Sequence, residues 1–343
     1  MVEKVDSHTV KVTFSKPTPF WATLFVAAEG MIIPKHVFGP YIGAKSREAP
    51  ANLKPVGTGP YKFADFKPGD MVRGDINMAY HMANKPSFDA IEMKGGGDAT
   101  SAARSVLQTG EYDYAWNLQV EDELLTRLEG GQGAKGRVDF MTSGSAELLF
   151  LNHADPAVET EGERASPKSS HPLLSDPAVR QALGLLVDRA SVQRYIYGRA
   201  GVATPNIVTN PVRYRSTALT MDFNVDKANA VLDAAGWARG SDGIRAKAGK
   251  RLSFVYQTSS NPLRQKTQGI VKQAFQKAGI QVELKTVTAS VFFSSDVGNP
   301  DTAGKFWADL QMFTVEQGSP DPQRHLGRFV SGKPRARPTS GWA

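Results

Sequence analysis

Residues 251–287 constrain the fold of this chain more than any other stretch. Leu252, Phe254 and Tyr256 alternate with polar residues, which is the period-two pattern of a strand. Asn261 offers a helix cap, Pro262 suits the first helical position, and Leu263, Ile270, Val271, Ala274, Phe275 and Ala278 lay an apolar stripe behind them. Gly279 stops the helix, and Ile280, Val282 and Leu284 alternate again. Strand, helix and strand at this spacing make a βαβ unit, so the two strands are expected to be parallel, with a right-handed crossover.

The same patterns place other elements. Strands are expected at residues 9–14, 61–67, 71–76, 88–94, 137–142 and 147–152. Helices are expected at 19–28, 99–108 and 120–128, and Met31, Ile32 and Ile33 read as a short buried segment. Asp176 is a good N-cap with Pro177 behind it, and Val179, Leu183, Leu186 and Val187 share one face of the helix that follows. A further helix covers 226–235 and ends at Gly236. Residues 154–170 are polar and aperiodic, and are expected to form a loop or a partly disordered insertion.

Composition excludes several functions. None of the 343 residues is a cysteine, which removes disulfides, thiolate metal sites and a cysteine nucleophile. The net charge of +7 raises nucleic acid as a partner, but Lys and Arg are scattered among acids, with one dense group at Lys333, Arg335 and Arg337. That pattern is a solvated mixed surface, so no nucleic-acid partner is expected. No apolar run is long enough for a membrane span, and residues 1–6 carry no signal-peptide pattern.

Motifs of catalysis and cofactor binding are weak. Gly131-Gln132-Gly133-Ala134-Lys135-Gly136 matches a dinucleotide fingerprint but follows a helix and precedes a strand, so it reads as a helix-ending loop. Gly95-Gly96-Gly97-Asp98 lacks the Lys and Ser/Thr of a phosphate loop, and Asp98 reads as a helix cap. No two of the six histidines lie three or four residues apart, and no nucleophile elbow occurs. No cofactor, metal or catalytic residue is assigned. Tyr112, Tyr114 and Trp116 stand on one face if they form a strand. They are then either a buried aromatic stripe or a cleft wall, where Trp116 stacks on a ligand and Asn117 hydrogen-bonds it.

Six motifs, in order, resemble one family. They are Pro55-Val56-Gly57-Thr58-Gly59-Pro60-Tyr61, Gly110-Glu111-Tyr112-Asp113-Tyr114, Val179-Arg180-Gln181-Ala182-Leu183 with Asp188-Arg189, Asp226-Lys227-Ala228 with Gly236-Trp237, Ala278-Gly279-Ile280-Gln281-Val282, and Pro320-Asp321-Pro322. The chain resembles the extracytoplasmic solute-binding proteins of ABC importers, family 5, of the dipeptide, oligopeptide and nickel type. The resemblance implies an α/β, two-lobed periplasmic binding protein-like fold (class II, peptide-binding type) with lobe I incomplete. It implies residues 1–54 as the end of a small extra subdomain, 55–152 as part of lobe I, 153–331 as lobe II, and 332–343 as a disordered basic tail outside the family pattern. The ligand, a peptide or similar small solute, is expected between Tyr114, Trp116 and Asn117 on one side and Glu316, Gln317 and Ser319 on the other.

Such a protein is not an enzyme. The resemblance implies a monomer, periplasmic or otherwise extracytoplasmic, that delivers its solute to a membrane permease; without a signal-peptide pattern, a fragment as given is expected either there or in the cytoplasm. Peptide-binding members place a carboxylate four positions before the late proline, where this chain has Gly318. Either Glu316 takes that role or the ligand has no free amine, and Glu316 also reads as a plain solvated carboxylate. The late start of the chain and its altered tail imply truncation at both ends. That leaves open a non-functional remnant as the alternative, with an α/β enzyme behind it.

Overall fold

The computed structural model describes residues 1–25, 30–95, 97–141, 143–220, 222–296, 298–318 and 321–329, leaving aside the side chains of residues 44 and 324. Two compact units emerge, Met1–Gly96 and Gly97–Trp342. Residues 152 and 153 fall within the second unit, just after a strand of the main sheet.

In the first unit β1 (Val2–Lys4) and β2 (Val10–Val12) form a hairpin. A 3₁₀ turn, Trp21–Phe25, stands where a longer helix was expected, and residues 26–28 of that expectation lie outside the described residues. The short helix α1 (Lys35–Phe38) follows. Then β3 (Tyr61–Lys67), β4 (Met71–Ile76) and β5 (Ala90–Lys94) make an antiparallel meander, the first two at the ends set by their alternation. Met31, Ile32 and Ile33 are exposed, not buried. Ala49 is the one buried apolar residue of this unit among the described residues, so there is no core for them to join.

The second unit opens with α2 (Ala99–Arg104), capped by the Asp98 carboxylate, which accepts from the N–H groups of Thr100 and Ser101. The chain continues through a π-turn to a left-handed Gly110 and on to α3 (Asp122–Glu129). The glycine-rich run after α3 is a helix-ending loop, as expected. Ala103, Leu107, Val120 and Leu125 form a small apolar cluster here. Residues 137–141 pair with no strand; the Val138 N–H donates instead to the Glu129 carboxylate.

β6 (Ser145–Leu151) enters the main sheet. The polar stretch after it is ordered: β7 (Glu159–Thr160) and β8 (Glu163–Arg164) pair, and Ala154 and Ser166 are buried. Next come α4 (Pro177–Leu185), α5 (Arg189–Val192), α6 (Val225–Ala234) and a meander of β9 (Ala238–Arg239), β10 (Arg245–Lys247) and β11 (Lys250–Arg251). The βαβ unit is present as β12 (Ser253–Ser259), α7 (Pro262–Lys277) and β13 (Gln281–Val287), with its strands parallel. α8 (Ala289–Phe292), β14 (Leu310–Glu316) and α9 (Gln323–Leu326) complete the unit.

The sheet order is β13-β12-β14-β6, with β12 parallel to both neighbours and β6 antiparallel to β14. One face carries the main core, built from Leu183, Leu186, Leu232, Phe254, Tyr256, Phe275, Leu310 and Met312 among others. Each such side chain contributes about 1.5–3 kcal/mol by leaving water. Two distant motifs meet on this core. Asp176 caps α4 through the Ala178 N–H and also accepts from Trp237 Nε1 at 3.1 Å. Arg245, 1% exposed, donates to Ala278 O at 2.8 Å and Asn229 Oδ1 at 3.0 Å, which ties α6 to the end of α7.

Candidate solute-binding site

Strand alternation builds a polar patch out of the core. Leu310, Met312, Thr314 and Glu316 share one face of β14, and Leu151, Leu149, Glu147 and Ser145 stand opposite them on β6. Both rows turn from apolar to polar toward the carboxyl ends of the parallel strands. That edge is where open α/β sheets present ligand sites.

Arg264, on the first turns of α7, organises the patch. Its Nε donates to Glu147 Oε1 at 2.7 Å, Nη1 to Ser259 Oγ at 2.7 Å, and Nη2 to Thr314 Oγ1 at 3.0 Å. The Thr314 hydroxyl in turn donates to Glu147 Oε2 at 2.6 Å. Arg264 is buried and Glu147 nearly so, hence the pair holds its geometry with little competition from water. Burial, reinforced by the Glu147 charge, pushes the nearby Tyr197 hydroxyl well above its ordinary pKa and keeps it neutral.

Residues 112–121 reach this patch from the other cluster. They form no strand: Tyr112 N–H bonds back to Ser105 O, Asn117 is left-handed (φ 56°), and Gln119 N–H bonds to Asn117 O at 2.8 Å. With no ladder partner, the alternation of Tyr112, Tyr114 and Trp116 cannot set a single face. Tyr114 and Trp116 are 76% and 71% exposed, so the buried-stripe reading fails for both. The Gln119 side chain is the anchor. Its Oε1 accepts from Asn261 Nδ2 at 2.7 Å, and its Nε2 lies 3.5 Å from Thr314 Oγ1.

The expected site residues therefore divide. Tyr114, Trp116 and Asn117 lie on a loop fastened by Gln119 to the sheet edge that also carries Glu316. Glu316 is exposed, and among the described residues its carboxylate, like the Tyr114 and Trp116 rings, has no side-chain partner. Gln317 N–H donates to Gly144 O at 3.2 Å, and Gly318 is exposed. Ser319 lies outside the described residues. Glu147, Tyr197, Arg264 and Thr314 escaped the sequence reading. Their one signal was position: Asn261 and Arg264 open the helix straight after a parallel strand. Chemically, among the described residues, the arrangement offers the exposed Tyr114 and Trp116 rings, the Glu316 carboxylate and an internally satisfied polar floor. Among the described residues no cluster of His, Asp or Glu fit for a metal occurs.

Comparison with known proteins decides the family. The profile of the bacterial extracellular solute-binding proteins, family 5 Middle, matches residues 1–336. The chain belongs to this family. It is 29% identical over 264 residues to the oligopeptide-binding protein AppA of Bacillus subtilis, covering 75% of this chain and 44% of that one. It is 24% identical over 292 residues to the glutathione-binding protein GsiB of Escherichia coli, covering 84% and 49%. The chain thus spans about half the length of the curated relatives it matches.

Solved structures share its fold. NikZ of Campylobacter jejuni, in complex with Ni(L-His), aligns at TM-score 0.77 and 23% identity over 99% of this chain and 61% of its own. Lactococcal OppA, closed on an endogenous peptide, aligns at 0.74 and 20%, covering 99% and 62%. The α/β, periplasmic binding protein-like fold of this family 5 chain is therefore shown.

Proposed function

We propose that this family 5 chain is the solute-capturing part of an ABC importer and binds a peptide or similar small solute. The family match over residues 1–336 carries the reading. The site supports it, because the uncommitted groups suit holding a ligand: Tyr114 and Trp116 offer stacking surfaces, and Glu316 offers an acceptor for an ammonium group. Asn117, Gln317 and Ser319 complete the ligand contacts in this proposal. The solute leaves unchanged and passes to a membrane permease, with the protein acting as a monomer outside the cytoplasm. Among the described residues no helix is long and apolar enough to cross a membrane.

The relatives choose the panel for the test: short peptides, glutathione and nickel with histidine. Melting is followed with each at saturation. A ligand at about a hundredfold its Kd stabilises by about 2.7 kcal/mol, and the expected result is such a rise for one class of solute. Trp116→Ala and Glu316→Gln should each diminish it while leaving the melting of the ligand-free chain unchanged. A folded chain that no solute stabilises would overturn the proposal.

A further inference from the structure

Residues 97–142 and the sheet-bearing remainder of the second unit keep separate apolar clusters. Among the described residues the hydrogen bonds that join them all involve a polar side chain: Gln119 with Asn261 and Thr314, Glu121 with Lys266 at 2.6 Å, and a set centred on Arg199. The Arg199 N–H donates to Asp122 Oδ2 at 2.9 Å, and its Nε to Asp122 Oδ1 at 2.7 Å. Nη1 reaches Glu129 Oε2 at 3.2 Å and Nη2 reaches Thr126 Oγ1 at 2.9 Å, while the guanidinium lies 4.9 Å from the Phe140 ring centre. Every one of these bonds joins residue 199, in the sheet-bearing part, to the part that holds α3.

The backbone is shaped for the contact. Gly198 has φ 50°, and a Cβ there would stand 2.3 Å from the Asp122 side chain, so no other residue lets the turn come so close. Burial works to raise the Asp122 carboxyl, but hydrogen bonds from Arg199 and its charge outweigh it and hold the carboxyl below its ordinary value. Glu129 is lowered by the Val138 N–H first and by Arg199 second.

We infer that Arg199, seated by Gly198, is a positioning residue for solute capture: it clasps the part bearing Trp116 onto the part bearing Glu316 without touching the solute. The inference rests on the proposed site between those residues. It also requires that the clasp hold two bodies with little apolar glue, so that charge screening loosens it.

The test needs no solute, so its failure is separable from failure of the ligand panel. The chain has no cysteine, so Glu123→Cys on α3 and Gln276→Cys on α7, both exposed, give unique spin-label positions. Pulsed electron resonance reads their distance at about 0.1 M and about 1 M salt, between which the Debye length falls from about 10 Å to about 3 Å. We expect one short distance for the otherwise unchanged chain at low salt and a longer component at high salt. Arg199→Ala should show the longer component already at low salt, and Arg199→Lys less of it. Should Arg199→Ala lose its far-ultraviolet circular dichroism, Asp122→Asn with Glu129→Gln removes the same bonds from the other side. A distance unmoved by breaking these bonds in a folded chain, or by salt, would overturn the inference.

Discussion

His171 shows how a single residue binds sequence to architecture. It is 1% exposed. Its Nδ1 accepts from the N–H groups of Leu173 and Leu174, at 3.1 and 2.9 Å, so Nε2 carries the proton and donates to Asp309 at 2.9 Å. The other Asp309 oxygen accepts from the Val255 N–H. One imidazole thereby fixes the loop before α4 to the strand connection beneath it. In His171→Ala two buried N–H groups and a carboxylate lose their partner, which is expected to cost about 3 kcal/mol in urea unfolding. A loss below about 1 kcal/mol would mean that water replaces the ring. In the sequence it is one of six histidines without close spacing, since an imidazole that satisfies N–H groups leaves no periodic trace.

Between elements the decisive contact joins α7 to β6. Arg264 sits on the helix that the apolar stripe predicted, and Glu147 on a strand that alternation predicted, yet nothing local pairs residues 117 positions apart. Arg264→Met should cost about 3–5 kcal/mol, because it leaves Glu147 largely buried without its counter-charge. Arg264→Met with Glu147→Met should recover most of that, measured by the same unfolding. If the double variant is as unstable as the two losses added together, the pair is not coupled. The segment around Trp116 shows the opposite failure. Its alternation is real, but a strand needs a neighbour for its ladder, and here the chain bonds back on itself at Ser105 and Asn117.

For the molecule as a whole, the contrast between the units matters. Every sheet lies within one unit, and the second unit holds both apolar clusters and the candidate site. A chain starting at Gly97 is therefore expected to unfold cooperatively and to keep the melting temperature of the full chain's main transition. A broad, non-cooperative melt of that fragment would show that its core depends on residues 1–96. Local order was legible in the chain: the caps at Asp98, Asp176 and Asn261, the stripe of α7 and the alternation of β12 and β13 depend on neighbours a few residues away, and short-range sterics and hydrogen bonds act at that range. The six ordered motifs also carried the family. Only the tertiary structure set β6 beside β14, Gln119 against Thr314 and Arg199 into Asp122, because each joins residues 70 or more apart in sequence, whose meeting is decided by how the cores pack.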